Sequence, residues 1–192
     1  MTELDEYRHF IMHKPYGYMT QFVYNNKRKK KLLGELFDFP EGTMAIGRLD
    51  EHSEGLLFLT TNGKVSALVR GRKIEKEYHV QVDGIIGQAE IEKLAQGVEI
   101  GIKGEKYHTL PCKARLLNDP GYEERSRRVR DDRHGPTSWI SITIKEGKYR
   151  QVRKMTAAVG FPTLRLIRFR IGSTTIEDLP NGAVKEVQQF DL

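Results

Sequence analysis

The sequence predicts an α+β fold with a mixed, largely antiparallel central sheet and flanking helices. The chain has 192 residues, of which 38% are hydrophobic and 30% charged, so it can bury a core. Strand-like runs follow one another without regularly spaced crossover helices, which favours this fold class. "KEYHVQVDG" and "SWISITI" alternate as half-buried strands do. In the first of them, one face carries Tyr78, Val80 and Val82, and the other carries Glu77, His79 and Gln81.

The first third of the chain predicts three strands and two helical segments. "RHFIMHKP" is a short strand that ends at Pro15, and "MAIG" and "GLLFLTT" are two more, the second apolar enough for a central position. Between "RHFIMHKP" and "MAIG", we expect residues 16–31 to form an exposed loop and "LLGELF" to form a short helical piece. Asn62 can cap a helix in which three apolar residues share one face, namely Val65, Leu68 and Val69.

The rest of the chain predicts further strands and two amphipathic helices. "QAEIEKLAQG" is a helix closed by Gly97, and "YRQVRKMTAAVG" is a helix with Val152 and Met155 at core spacing and Gly160 at its end. "VEIGI", "HTLPCKARLL" and "TLRLIRFRIG" are strand-like. Residues 118–136 form a Gly-, Pro- and Arg-rich insertion that we expect to be mobile.

The composition excludes several classes of protein. The single cysteine, Cys112, allows neither an intramolecular disulfide nor a metal site built on several thiolates. The N-terminus is acidic and polar, unlike a signal peptide, and no run approaches the roughly 20 apolar residues that a membrane span needs. Walker A, Gly-x-Gly-x-x-Gly and His-Glu-x-x-His motifs are missing. We therefore expect a cytoplasmic protein with no membrane partner.

Two basic runs occur in a chain that is basic overall, with a net charge of +6 and a pI near 9.3. A single run of like charges is most often a solvated loop. Two runs in one basic chain favour a partner with a phosphate backbone. The candidates for contacts with that backbone are Lys27, Arg28, Lys29, Lys30 and Lys31 in the first run, and Arg127, Arg128 and Arg130 in the second.

The stretch "GRLDEHSEGLLFLTTNG" places Asp50 before an apolar strand. Such an aspartate either lies in a solvated turn or is held at a cleft for chemistry, because carboxylates are seldom buried unpaired. A carboxylate can attack a sugar carbon, and a nearby cation keeps it ionised. On the predicted helix, Arg153 shares a stripe with Tyr149 and Thr156, and another with Arg150. Spacing alone does not pair Arg153 with Asp50.

Five stretches, taken in order, resemble the motifs of the pseudouridine synthases related to the ribosomal small-subunit enzyme. They are "HKPYGYMTQF", the Gly-Arg-Leu-Asp stretch quoted above, "KEYHVQV", "EGKYRQVRKMTAAVGFPTLRLIRFRIG" and "LPNGAVKEV". The resemblance covers roughly residues 9–187. Gly-Arg-Leu-Asp and Arg-Gln-Val-Arg together are highly specific, whereas either motif alone is only moderately so.

The resemblance implies roles for individual residues. Asp50 matches the catalytic aspartate, Arg153 the arginine that pairs with it, and Tyr78 the tyrosine that packs on the target base. Without the resemblance, Asp50 would be interpreted as a turn residue and Tyr78 as a core residue. The implied substrate-binding residues are Arg48, beside the vacated base position, Leu166, on the wall of the uracil pocket, and Lys14.

The implied reaction isomerises one uridine of large-subunit (23S) ribosomal RNA to pseudouridine. The N-glycosidic bond breaks, the base turns, and it rejoins the sugar through carbon. Asp50 either attacks the sugar or removes a sugar proton to give a glycal. The resemblance implies no metal and no cofactor, because both bonds change on one substrate. We expect the RNA to be met naked or in an early assembly particle, and the enzyme to be a monomer.

The domain organisation follows from the same motifs. No linker divides the chain, so we predict a single catalytic domain over residues 1–192, with a soft lobe boundary near residue 62 and two lobes around a cleft. The Lys-Pro motif begins at Lys14, so we expect the chain to lack the small N-terminal S4 domain that many relatives carry. The chain departs from the family pattern at His13, His52 and Tyr149, which bears on substrate positioning.

Two other functions fit parts of the sequence. A non-catalytic protein that binds ribosomal RNA would need the basic surface but not Asp50. A glycoside hydrolase would pair Asp50 with Glu54, since such enzymes use two carboxylates.

Overall fold

The computed structural model describes residues 7–23, 30–71, 73–130 and 132–192. The chain forms two compact units. The first unit comprises Met1–Ile74 and Ile171–Leu192, and the second comprises Glu75–Arg170. The α+β class is confirmed, because the described residues form many strands, mostly antiparallel, and few helices. The single domain and its lobe boundary near residue 62 stay predictions.

The strands and α-helices, in chain order, are β1 (His9–Lys14), β2 (Tyr18–Met19), β3 (Lys31–Leu32), β4 (Met44–Ile46), β5 (Ser53–Thr60), α1 (Gly63–Gly71), β6 (Lys76–Asp83), α2 (Gln88–Gln96), β7 (Glu99–Ile102), β8 (Glu105–His108), β9 (Lys113–Leu117), β10 (Thr137–Ile144), α3 (Gln151–Ala158), β11 (Thr163–Ile171), β12 (Thr174–Thr175) and β13 (Val184–Val187). Short 3₁₀ helices cover Leu33–Glu35 and Asp132–His134.

The sheet of the first unit has β1 between β13 and β5, antiparallel to both, and β4 pairs antiparallel with β5. Every residue of β5 is buried, which confirms the predicted central strand. Leu57 and Leu59 on β5 pack with Phe10 and Met12 on β1 and with Leu33. Complete burial of such a side chain contributes about 1.5–3 kcal/mol, so this cluster stabilises the strand that follows Asp50.

Two local predictions in the first unit need correction. In the tract predicted to be an exposed loop, β2 pairs in parallel with β3, and residues 16–20 are half-buried. Asn62 does cap α1, because its Oδ1 accepts the backbone N–H groups of Lys64 and Val65. Leu68, however, is 52% exposed, whereas Val69 is buried. Successive helical residues differ by about 100°, which turns Leu68 away from the face that Val69 buries.

The sheet of the second unit has the order β11-β6-β10-β9, with β10 antiparallel to β6 and to β9. The predicted apolar face of β6 is confirmed, since Tyr78, Val80 and Val82 are buried. His79 is also buried, although it lies on the polar face. Its ring stacks on Phe169 and its Nδ1 lies 2.7 Å from the Tyr122 hydroxyl, so packing covers that face.

The helices of the second unit follow the predicted patterns with one exception. The helix closed by Gly97 is confirmed as α2. In α3, Val152 and Met155 are buried as predicted. The helix begins only at Gln151, because Arg150 has a left-handed backbone, with φ 51° and ψ 34°. The predicted stripe through Tyr149, Arg153 and Thr156 is therefore wrong: Tyr149 precedes α3 and is 72% exposed, and Thr156 is fully buried.

Several described contacts attach the Arg-rich insertion to the rest of the second unit. Tyr122 contacts His79 on β6, and the Arg130 guanidinium lies 2.7 Å from Asp83 at the end of the same strand. These contacts hold a segment that we expected to be mobile. Over the described ranges, none of the helices combines the length and the apolar character required to cross a bilayer.

Candidate active site

Asp50 lies in the turn that leads from β4 into β5. Its Oδ1 accepts two hydrogen bonds, from the His52 backbone N–H at 3.0 Å and from the Ser53 hydroxyl at 2.8 Å. Its backbone carbonyl accepts the Ser53 N–H at 3.0 Å. The two bonds to Oδ1 fix the direction of a half-buried carboxylate, and the backbone bond closes the turn. We call residues 49–53 the catalytic turn, because they contain the aspartate for which the sequence predicts a catalytic role.

The segment after the Lys-Pro motif lies along this catalytic turn. The Thr20 hydroxyl donates to the Leu49 carbonyl at 2.7 Å and accepts the Leu49 N–H at 3.2 Å. On the other side of Asp50, the Gly17 N–H donates to the Glu51 carbonyl at 2.8 Å. Gly17 has a φ of 88°, a backbone conformation that glycine adopts without strain. Both neighbours of Asp50 are thus held by the same short segment.

Lys14 holds the end of the catalytic turn from the protein interior. Its side chain is fully buried, and its ammonium group donates to the carbonyls of Pro15 at 3.0 Å and Ser53 at 2.7 Å. A buried ammonium group needs such acceptors, because burial without them is costly. The sequence suggested Lys14 as a substrate-binding residue, but the structure places it beneath the turn rather than at a surface that RNA could reach.

The neighbouring polar residues differ in exposure. Arg48 is exposed and is separated from Asp50 by the buried Leu49, so it offers a cation at the surface. Glu54 follows the turn on β5 and is only 1% exposed. That burial argues against the glycoside hydrolase hypothesis, in which Glu54 would have to meet a sugar.

The other sequence-predicted site residues belong to the second unit. Tyr78 lies on β6 opposite Ile142 of β10, and it is 9% exposed. Leu166 lies on β11 and is 6% exposed. Both positions suit the wall of a pocket and equally suit a core.

Arg153 is half-buried on α3, and the residues around it fix the start of that helix. Gln151 donates through Nε2 to Glu146 at 2.7 Å, and its Oε1 accepts the Lys148 N–H at 3.1 Å. Val152 on one side of Arg153 is buried against the core. The Arg-Gln-Val-Arg motif therefore contains two anchors, which set the position of its second arginine.

Glu146 is a structural residue that the sequence analysis missed. Its carboxylate accepts the Tyr107 hydroxyl, the Leu110 N–H and the Gln151 amide. The hydrogen bond to Glu146 raises the pKa of the Tyr107 hydroxyl. Glu146 and Gln151 are close in sequence, and this proximity is a signal that their side chains can meet. No sequence pattern indicates that Tyr107 joins them.

Ser53 and Thr20 were missed as well. Ser53 follows Asp50 by three positions, a spacing at which a hydroxyl and a carboxylate meet in a turn. That spacing is visible in the sequence. Thr20 is far from Leu49 in the chain, and only the folded structure brings the two together.

The basic candidates fall into three groups. Lys27, Arg28 and Lys29 lie outside the described residues. Lys30 and Lys31 are described, and the Lys30 ammonium group lies 2.7 Å from Glu51 in the catalytic turn. The third group lies in the insertion: Arg127 and Arg128 are exposed, whereas Arg130 is bonded to Asp83 and to the carbonyls of Gly135 and Pro136.

Comparison with known families places the chain in a class of RNA-modifying enzymes. Residues 8–158 match the family model described as RNA pseudouridylate synthase. The chain belongs to this family, whose members are isomerases that convert uridine in RNA to pseudouridine. The motifs that suggested the family in the sequence lie largely within the matched region.

Among individual proteins, the chain is similar to ribosomal large subunit pseudouridine synthases E. It is 41% identical to the one from Vibrio parahaemolyticus over 191 residues, which covers 97% of this chain and 76% of the relative. It is 38% identical to the one from Xanthomonas axonopodis pv. citri, with 88% of each chain covered.

Solved structures agree with this classification. A crystal structure of a pseudouridylate synthase superimposes with a TM-score of 0.74 at 27% identity, covering 97% of this chain and 73% of that one. A chain of a Cbf5-Nop10-Gar1 complex superimposes with a TM-score of 0.54 at 15% identity, covering 90% of this chain and 51% of that one. The second similarity shows a shared fold alone.

Proposed function

We propose that this protein isomerises one uridine of large-subunit (23S) ribosomal RNA to pseudouridine, with Asp50 as the catalytic carboxylate. The observation that carries the proposal is the 41% identity, over almost the whole chain, to a relative named for that activity. The geometry of Asp50 supports it, because two hydrogen bonds orient the carboxylate at the head of a buried strand.

The proposed reaction rearranges one substrate without a net gain or loss of atoms. The bond from N1 of uracil to C1′ of the ribose breaks, and a bond from C5 to C1′ forms. The proton lost from C5 is balanced by the proton gained at N1. Asp50 acts either as a nucleophile at C1′ or as a base that removes a sugar proton. Both routes need an ionised, oriented carboxylate.

The other site residues have separate roles around the base. We propose that Arg153 stabilises the charge of Asp50, that Tyr78 packs on the uracil and that Leu166 lines its pocket. Arg48, exposed two positions before Asp50, suits a contact with RNA beside the vacated position. Lys14 positions the catalytic turn instead of binding substrate.

The target must leave its base stack, which costs a few kcal/mol and least in looped RNA. We therefore propose naked RNA or an early assembly particle as the substrate, and a monomeric enzyme acting in the cytoplasm. The exposed Arg127 and Arg128, together with the basic run that ends at Lys31, suit contacts with phosphates.

Mapping of pseudouridines in ribosomal RNA tests the proposal. Cells that lack the protein should lose pseudouridine at one position of 23S RNA, and the purified protein should restore it on a transcript. Loss of a modification in another RNA class, or no loss at all, would contradict the proposed substrate.

The variant Asp50→Asn separates an enzyme from a non-catalytic RNA-binding protein. It should bind the same transcript with unchanged affinity while product formation falls by roughly 10³-fold or more, because the amide neither attacks nor accepts a proton. Product formation at the wild-type rate would exclude Asp50 as the catalytic carboxylate.

A further inference from the structure

Two aromatic rings stack beside the catalytic turn. The rings of Tyr16 and His52 have centroids 5.4 Å apart and planes inclined by 23°. Tyr16 is half-buried, whereas His52 is exposed. The imidazole is therefore supported by the phenol and is accessible to solvent.

The backbone holds this pair close to the catalytic carboxylate. The His52 N–H donates to Asp50, and the Gly17 N–H, next to Tyr16, donates to the carbonyl of Glu51. His52 is thus part of the catalytic turn, and Tyr16 is next to a residue that is bonded to that turn. A nucleotide base stacked on the His52 ring would lie close to the carboxylate of Asp50, which is two residues before His52 in the sequence.

Two lysines lie beside the same segments. The Lys30 ammonium group is bonded to Glu51, and the Lys31 ammonium group lies 5.5 Å from the centroid of the Tyr18 ring. The pairing of β2 with β3 brings the end of the first basic run to the segment that carries Tyr16 and Tyr18. Aromatic rings interleaved with cations are typical of surfaces that bind unpaired nucleotides.

We propose that the Tyr16–His52 pair stacks one unpaired base adjacent to the target uridine, with Lys30 and Lys31 near the phosphates of that strand. This inference rests on the proposed function and adds a residue that determines substrate choice. The imidazole of His52 offers a flat face on which a base can stack.

The test uses RNA hairpins that contain the uridine mapped in 23S RNA. In each hairpin, one of the two nucleotides on the 5′ side or one of the two on the 3′ side of that uridine is replaced by an abasic nucleotide. With the wild-type protein, an abasic site at one flanking position should weaken binding by about 5- to 150-fold, the usual contribution of one base stacked on an aromatic side chain. With His52→Ala the intact hairpin should bind equally weakly, and that abasic site should cause no additional weakening.

Two variants complete the experiment. His52→Phe keeps a ring and should restore binding of the intact hairpin, whereas His108→Ala removes an exposed histidine from β8 and should behave as wild type. Equal sensitivity of His52→Ala and wild type to every abasic site would overturn the inference. If the wild-type protein formed no pseudouridine in 23S RNA, the proposed function itself would fail, which is a different result.

Discussion

The Ser53 hydroxyl donates a hydrogen bond to Oδ1 of Asp50 across 2.8 Å, from a side chain that is only 1% exposed. The same oxygen accepts the His52 N–H. The lone pairs of Oδ1 are thus directed at two donors within the turn. We infer that Ser53 is a positioning residue, which orients the carboxylate on which the proposed reaction depends.

Ser53→Ala should reduce the rate constant of pseudouridine formation at saturating RNA by about 10- to 100-fold, since a hydrogen bond to a charged group contributes about 1.5–3 kcal/mol. Ser53→Thr keeps the hydroxyl and should retain most of the rate. Single-turnover kinetics measure both, and the RNA dissociation constant should not change. A variant with alanine that reacts as fast as wild type would remove Ser53 from the mechanism.

Lys14→Met should destabilise the protein by about 2–3 kcal/mol, because it leaves the carbonyls of Pro15 and Ser53 without their charged donor. Urea denaturation measures the free energy of unfolding. Lys64→Met, at an exposed position of α1, is the matched control and should change it little. If Lys14 instead contacted RNA, Lys14→Met would weaken RNA binding and leave stability intact.

Arg153→Ala should lower the rate of product formation by about 10²- to 10³-fold, the usual effect of removing a charge-stabilising group from an active site. Arg153→Lys should retain only part of the wild-type rate, because a lysine is a point charge without the planar guanidinium fork. Lys93→Ala, on α2, serves as the control and should keep the full rate. Full recovery with lysine would show that charge alone suffices at this position.

Arg127 and Arg128 should contribute to the salt dependence of RNA binding, whereas Arg130 should not. Replacement of both exposed arginines should reduce the slope of log affinity against log salt concentration by about 0.7–0.9 for each phosphate that is no longer neutralised. Arg130→Ala should instead lower the free energy of unfolding by about 1–2 kcal/mol, because its guanidinium bonds to Asp83 and two carbonyls. A reduced salt dependence with Arg130→Ala, together with reduced stability when Arg127 and Arg128 are replaced, would contradict the structure.

Cys112 should be almost unreactive towards thiol reagents in the folded protein. Burial, reinforced by the charge of Glu146, raises the pKa of this thiol from 9.0 to about 11. At pH 8 the reactive thiolate should be about 10- to 100-fold scarcer than in the unfolded chain, where labelling with a chromogenic disulfide should be fast.

The same pKa difference fixes the sign of a stability change. Between pH 9 and 11 the unfolded chain releases the Cys112 proton while the folded protein retains it, so stability should fall as the pH rises through this window. Equal labelling rates with and without urea would contradict the burial of this thiol.

Most elements could be predicted from the sequence because their patterns are local. The Asn62 cap, the Gly97 helix end and the alternation of β6 each depend on a few neighbouring residues. The predictions failed where a backbone conformation or a distant contact intervened. Arg150 adopts a left-handed conformation that delays α3, and no residue pattern signals it. Leu68 is exposed because packing, which periodicity does not specify, selected another face of α1.

By itself, the sequence determined the fold class, the family and the identity of the candidate residues, because motifs and hydrophobic periodicity are local properties of the chain. Only the tertiary structure decided which partners those residues meet. It buried Lys14 beneath the catalytic turn, joined Lys30 to Glu51 and stacked Tyr16 on His52. These contacts join residues far apart in the chain, and they form because β1 and β5 pair and bring the segments that flank them together.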